Sequence, residues 1–526
     1  MVKTLPVFLL ACATAVATGG RSFAGDWYVD AVNGSNSNPG TSANAAWRTL
    51  TWAVAHAPAG QGDTIHVAAG LYDAALGETF PIQVRSEQRI VGVDRDSVIV
   101  DGGTGSIAPV FAFVSHHLGD SYSALSGLER MSLRHGYNGV ELNAIGGLVS
   151  AELIDLAIDE ANNSGIAAIS GSTLRSSPSI QRVIIRRCYT GLFAQCSTPQ
   201  GLKLTASDSV FAGNTREGVA VDNSVDLVLD RCRADHNGIG GLRSYTPHAG
   251  FHQSVIARDC LFNRNGGYGL AHDYAYPPQL FGDVNFDIER CTIVDNQDIG
   301  VQLSGTSPAV GITIRDSILA GNPVDVSVTA SNVNLILASN SLIRDGFSSG
   351  VNGCFSADPA FRDAAHGDYR LTFDSPCVDA SAGSAGVPKD LAGRPRTLDG
   401  DLDLLPRTDL GAYELAPLDG PATVSIGSVL TLEVWGAAGA SSRVLWSRQP
   451  MLNSPQHTPF GLSYLQLPHL MRTVTTLGSD PVLVSRLVPY SPQIVGITYG
   501  FQARTQSGDA PAGEAFTNPL AITIVP

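Results

Sequence analysis

Charge is scarce in this chain: Asp, Glu, Lys and Arg make up 15% of its 526 residues, and aromatic residues only 7%. The balance is lopsided as well, with a formal net charge of −15 and a pI near 5.2. A nucleic-acid backbone is therefore a poor partner, since it calls for a basic stripe, and an acidic polymer would be repelled on average unless a local basic patch met it. Beyond the N-terminus no apolar run reaches the about 20 residues that span a bilayer as a helix. Helix-period patterning is also missing from the central region, whereas 56 glycines supply turns. Such a composition suits many short strands. The length exceeds the roughly 250–300 residues at which a single globular core stops growing, so several domains or one long solenoid are expected.

What is present begins with a leader. "MVKTLPVFLLACATAVATGGRSFAGD" has one Lys, an apolar run from Leu5 to about Thr18, and the small-residue site Ser22-Phe23-Ala24. This pattern reads as a secretory signal, residues 1–24, cleaved after Ala24 and delivering a secreted or surface-associated chain. A lipoprotein signal with Cys12 at the modification site is the alternative, with an unusually short apolar core. Export permits disulfides. Of the remaining cysteines, Cys188, Cys232, Cys260 and Cys291 are expected in one buried thiol column, and Cys354 and Cys377, which fall outside the repeats, are the candidate disulfide.

Four segments share one pattern: "SVFAGNTREGV" from Ser209, "CRADHNGIGGL" from Cys232, "CLFNRNGGYGL" from Cys260 and "CTIVDNQDIGV" from Cys291. Each places Cys or Ser, then Asn five residues on, then Gly followed by Leu or Val. The asparagines Asn214, Asn237, Asn265, Asn296 and Asn322 recur every 23 to 31 residues, a period that signals stacked repeats. Alternating runs such as "LVLDRC", "FDIERC" and "ITIRDS" read as half-buried strands. The fold class is thus all-β, a right-handed parallel β-helix. Asn is expected at a turn, where it tolerates a left-handed backbone and bonds to adjacent coils, and Gly where positive φ penalises a side chain. A charge ladder is expected from Arg187, Asp208, Arg231, Asp259, Arg290 and Asp316, with a less regular one from Arg186, Ser207, Asp230, Arg258, Glu289 and Arg315. Coils stacked about 4.8 Å apart would set opposite charges over one another.

Residues 27–73, "WYVDAVNGSNSNPGTSANAAWRTLTWAVAHAPAGQGDTIHVAAGLYD", resemble the opening of secreted bacterial β-helix proteins of the pectate-lyase-like superfamily, in the group called DUF1565. "ADPAFRDAAHGDYRLTFDSPCVDA" and "DLGAYE", from Ala357 and Asp409, look like the closing segment of the same proteins. The resemblance implies a solenoid over 25–415, with an N-terminal cap over about 27–110, a plugging helix near Thr49–Ala57 and a closing segment over about 355–415. Residues 416–526 change character to alternating runs broken by Gly, Pro and Ser, which predicts a small antiparallel β-sandwich.

In β-helix enzymes of that superfamily the substrate groove runs along one sheet. The strands after each Gly then place Asp222, Tyr245 and Asp273 in one column, Ser244 and His272 in the next, and Arg243 beside them, with Asn223, His248, His252, Tyr274 and Tyr276 nearby. Tyrosines that stack on sugar rings and polar groups that hold hydroxyls suit a polysaccharide. Asp273 or His272 is the candidate base, Tyr245 the candidate acid, and Arg243 the group to neutralise a uronate. "SYTPH" faintly resembles part of the alginate epimerase motif but lacks its flanking aspartates, and the Asp-Asp, Gly-His-Gly and Arg-Ile-Lys strings of polygalacturonase-like enzymes do not occur. A zinc site would draw on His248, His252 and His272, whose spacing falls in a Gly-containing loop rather than on a helix. Asp399, Asp401 and Asp403 in "DGDLD" have the alternation of a calcium loop without completing the EF-hand pattern.

These readings lead to a chain that binds extracellular or cell-surface polysaccharide, with lyase-, hydrolase- or epimerase-type processing left open. The alternative is a non-catalytic adhesion protein whose solenoid is a spacer.

Overall fold

The computed structural model describes residues 24–117, 120–246, 251–273, 284–304, 310–328, 335–345, 350–382, 389–466, 470–476, 480–508 and 510–526. The leader, apart from Ala24, lies outside them. No helix among the described residues is long and apolar enough to cross a membrane.

Each repeat is one coil of three short strands. In one coil these are Val225–Asp230, Arg233–Asp235 and Gly240–Tyr245, each paired in parallel with its counterparts in the coils before and after. About nine turns result, with the third strands forming a 10-stranded sheet and the others a 21-stranded one. Side chains that alternate inward, such as Leu227, Leu229, Ala234 and Leu242, join one core that runs along the solenoid. At its N-terminal end the helix Leu50–His56, capped by Thr49, inserts Leu50, Ala53 and Val54 into that core.

The asparagines form the expected ladder, through their amides. Asn214, Asn237 and Asn265 each donate from Nδ2 to the Oδ1 of the next asparagine at 2.8 to 3.0 Å, and Asn296 does the same to Asn322 at 3.0 Å. Every acceptor Oδ1 also takes the backbone N–H of the preceding asparagine. None of the five has positive φ; that conformation falls one residue earlier, at Gly213, His236, Arg264, Asp295 and Gly321. The glycines are likewise not left-handed. A Cβ on Gly241 would lie 2.5 Å from the Gly269 carbonyl oxygen and 3.1 Å from the Asn265 amide, and Gly218, Gly269 and Gly300 are crowded alike. Closeness of the next coil, and not backbone φ, excludes a side chain here.

The charge ladder exists, with one member corrected. Arg182, not Arg187, stacks on Asp208, because the strands before that corner pair Gln181 with Ser207. Extended through the same register, the ladder reads Arg130, Asp155, Arg182, Asp208, Arg231, Asp259, Arg290, Asp316. All eight are left-handed, with φ between 49° and 55°, an uncommon state for such side chains. Arg231 bonds Asp208 at 2.8 and 3.1 Å, and Arg290 bonds Asp259 at 3.0 Å. Gln181 likewise replaces Arg186 in the second row, and Arg186 and Arg187 pair with Asp159 and Glu160 at another corner.

Cys188 leaves the thiol column for the same reason: its backbone N–H bonds Asn214, which places it at the head of the asparagine ladder. Cys232, Cys260 and Cys291 do stack, and burial pushes the Cys260 thiol well up. Cys354 and Cys377 are both free. Cys354 packs into the solenoid core and Cys377 into the separate core of the closing segment, so the two thiols do not form the expected disulfide.

Past the closing segment, Leu418–Asp419, Val429–Val434 and Val482–Leu487 form one antiparallel sheet. A second sheet contains Ser441–Ser447, Leu470–Thr476, Thr498–Gln506 and Leu520–Val525. Leu430, Leu432 and Val434 of the first share a core with Val444, Phe501 and Ile522 of the second, which is the expected sandwich.

Candidate functional site on the outer face of the 10-stranded sheet

The columns expected from the sequence form as expected, but their faces differ. Asp222 pairs in register with Tyr245 and Tyr245 with Asp273, while Val221, Ser244 and His272 form the adjacent column. Because strand side chains alternate between faces, Asp222 and Tyr245 of the first column point outward and the second column points inward. Ser244 is 0% and His272 1% exposed. His272 Nδ1 lies 2.9 Å from the Ser244 hydroxyl, and its ring lies 5.8 Å from Phe286. Ser244 also bonds Gln253, which takes a further bond from Thr246 at 3.0 Å. This network lies inside the solenoid, so His272 presents no base to an outside ligand.

Outward, Arg243 is the centre of a charge-balanced cluster. Its Nη2 donates to Asp222 Oδ1 at 3.1 Å, its Nε lies 3.5 Å from Glu217 Oε1, and its guanidinium sits 5.5 Å from the Tyr245 ring centroid. Glu217, 2% exposed, also accepts from Arg216 at 3.4 Å and from the Tyr268 hydroxyl at 3.4 Å. Burial raises the Asp222 carboxyl above its ordinary value, with Arg243 opposing the shift. Arg243 is therefore already neutralised by two carboxylates, which corrects its expected role toward a uronate. The outer face continues with Phe193 and Gln195 on one side and Gln302 and Ser304 on the other.

The other expected residues scatter. Asn223 is buried at a strand end with φ 63°, and His252 is exposed beside the buried Gln253. His248, Tyr274 and Tyr276 lie outside the described residues, and of Asp273 only the backbone is described. Glu217, Arg216 and Tyr268 escaped the sequence reading. Simple alternation does not mark them: Glu217 and Tyr268 precede the repeat glycines Gly218 and Gly269, two residues before the buried Val219 and Leu270, and the same position holds the buried Ser164 and Thr190 in earlier coils.

A second acidic group lies in the closing segment. Asp379, Asp399 and Asp401 each offer an oxygen within 4.8 Å of the others. Asp403, expected among them, instead pairs with Arg407 at 3.1 Å. Asp379 accepts from the backbone N–H of Gly400, Asp401 and Arg407. Burial, with repulsion from Asp401 and Asp399, pushes its carboxyl up to about 7; burial and the neighbouring acids push Asp399 up to about 6. Three carboxylate oxygens are part of the six to eight that calcium takes.

No curated protein matches the chain. Among solved structures, pectate lyase Pel9A superposes with a TM-score of 0.42 at 16% identity, over 75% of this chain and 98% of its own. The A-module of the mannuronan C-5 epimerase AlgE6 of Azotobacter vinelandii gives 0.37 at 14%, over 58% and 93%. The catalytic domain of a GH87 alpha-1,3-glucanase gives 0.33 at 10%, over 55% and 67%. Residues 32–109 match the model of DUF1565, a family of unknown function, and residues 164–342 that of the right-handed β-helix region. The chain is a right-handed parallel β-helix protein with a DUF1565 segment at its N-terminal end.

Proposed function

We propose that this is a secreted protein that recognises an extracellular or cell-surface polysaccharide along the outer face of the 10-stranded sheet. The carrying observation is the cluster of Glu217, Asp222, Arg243, Tyr245 and Tyr268, in which aromatic rings adjoin acceptors fixed by salt bridges. Rigid strands hold these groups before a ligand arrives, which lowers the ordering cost of binding. Recognition is favoured over processing, because the expected imidazole base is interior and the arginine is already paired. The proposal includes the division into a solenoid over 25–415 and a sandwich over 416–526, the leader over 1–24, and calcium as the cation for Asp379, Asp399 and Asp401.

The test is retention of the mature chain in affinity gels cast with neutral and acidic polysaccharides, alongside assays for unsaturated products and new reducing ends. Retention without turnover is expected, and it should weaken in Tyr245→Ala. Turnover would restore the processing reading, and no retention on any glycan would favour the solenoid as a spacer.

A further inference from the structure

We infer that the glycan is a neutral, extended chain lying parallel to the solenoid axis on a track of apolar side chains spaced two coils apart. This rests on the polysaccharide reading above and adds substrate class and direction to it.

The track borders the cluster at the corner where each coil enters the 10-stranded sheet. Carried back one to three residues from the paired strands, the register stacks Tyr137, Asn163, Tyr189, Arg216, Ile239 and Gly267 in successive coils. Backbone bonds confirm the stacking: Asn163 N–H to the Tyr137 carbonyl at 2.8 Å, Arg216 to Tyr189 at 2.8 Å, and Ile239 to Arg216 at 3.0 Å. Tyr137 and Tyr189 are each 44% exposed and Ile239 36%. A large apolar surface thus recurs at every second coil, with Asn163 and Arg216 between. At about 4.8 Å per coil the repeat is about 10 Å, comparable to the advance of two pyranose rings in an extended chain. Alternate sugars would stack on the platforms, and the sugars between would meet polar side chains. The Arg216 guanidinium, 5.8 Å from the Tyr189 ring centroid, extends that platform.

Charge decides the class. The arginines beside the track are each committed to carboxylates: Arg187 to Glu160 at 3.0 Å, Arg216 to Glu217 at 3.4 Å, Arg243 to Asp222 at 3.1 Å. A polyuronate would have to displace Asp222 or Glu217 to gain a cation, in a chain of net charge −15. Hydroxyls of a neutral glycan can donate to the exposed Glu160 and the part-exposed Asp222 without breaking the pairs.

Calorimetric titration of the mature chain with cellohexaose, xylohexaose and mannohexaose, and with hexagalacturonate as the acidic probe, tests this at low and high salt. A neutral oligosaccharide should bind with little salt dependence. Tyr137→Ala and Tyr189→Ala should each weaken it about tenfold, as loss of a stacking aromatic does, and Tyr189→Phe should bind like the parent. Preferential, salt-sensitive binding of hexagalacturonate would overturn the inference and leave the polysaccharide reading intact. Parental affinity in both Ala variants, with loss in Tyr245→Ala, would also remove the track while keeping the reading. Failure of every oligosaccharide and polysaccharide to bind would overturn both.

Discussion

Two carboxylate clusters in this molecule have opposite electrostatics. On the solenoid face, Glu217 and Asp222 share Arg243, and Glu217 has Arg216 as well. In the closing segment, Asp379, Asp399 and Asp401 converge, with backbone N–H groups bonding Asp379, and Asp403 takes the nearby Arg407. A balanced cluster fixes geometry and keeps its charges over a wide pH range. An unbalanced one makes the fold respond to protons and cations. The first is suited to presenting a constant surface, the second to fastening a segment under particular conditions.

The largest effect should come from unbalancing the first cluster. Arg243→Met would leave Glu217, 2% exposed, with Arg216 alone, and Asp222 without its ion pair. Removing one partner of a buried pair costs about 3–5 kcal/mol, and the 19% exposure of the Arg243 side chain places this case nearer about 2–3 kcal/mol. Urea unfolding followed by intrinsic fluorescence measures it. Adding Glu217→Gln to the same chain should recover part of the loss, because the stranded charge is then gone. An unchanged midpoint in Arg243→Met would mean that solvent already compensates the acids and that the cluster is not a fixed surface.

A smaller effect is expected from titrating the second cluster. Asp379 and Asp399 have folded values raised to about 7 and about 6, above the unfolded carboxylate value near 4. Their favourable contribution is complete below about pH 4 and is lost as pH rises through about 6 to 7. Without divalent cations, thermal stability of the closing segment should therefore fall between about pH 4 and 7. Asp399→Asn should flatten that slope, and calcium should flatten it in the parent if the three acids hold the ion. A parent slope equal to that of Asp399→Asn would show that these groups do not govern it.

The same contrast explains what could be read in advance. The solenoid was legible because one physical constraint repeats: a buried amide ladder needs Asn in every coil and room for it beside Gly241, Gly218 and Gly269. The register at Arg187 and Cys188 was misjudged because that coil precedes the full signature, and spacing alone could not tell that Arg182 turns the corner. His272 was assigned to the wrong face through its polarity. Leu270, two residues before it on the same strand, is wholly buried, and side chains two apart share a face. The closing segment repeats nothing. Asp379 joins Asp399, which stands 20 positions later in the sequence, and no local pattern encodes that meeting.

The smallest effect separates membership of the acidic group from mere proximity in sequence. Asp403 alternates with Asp399 and Asp401 as a ligand loop requires, yet its side chain turns to Arg407 four residues on, a side chain 43% exposed. Exposed pairs of this kind contribute about 0–1 kcal/mol. Asp403→Ala should therefore shift stability by less than about 0.5 kcal/mol and leave any calcium response intact, whereas Asp401→Ala should abolish that response. The two residues are chemically identical and two positions apart. If Asp403→Ala abolished the calcium response as well, the cation would be held by the alternating loop of the sequence pattern rather than by the three-acid convergence on Asp379.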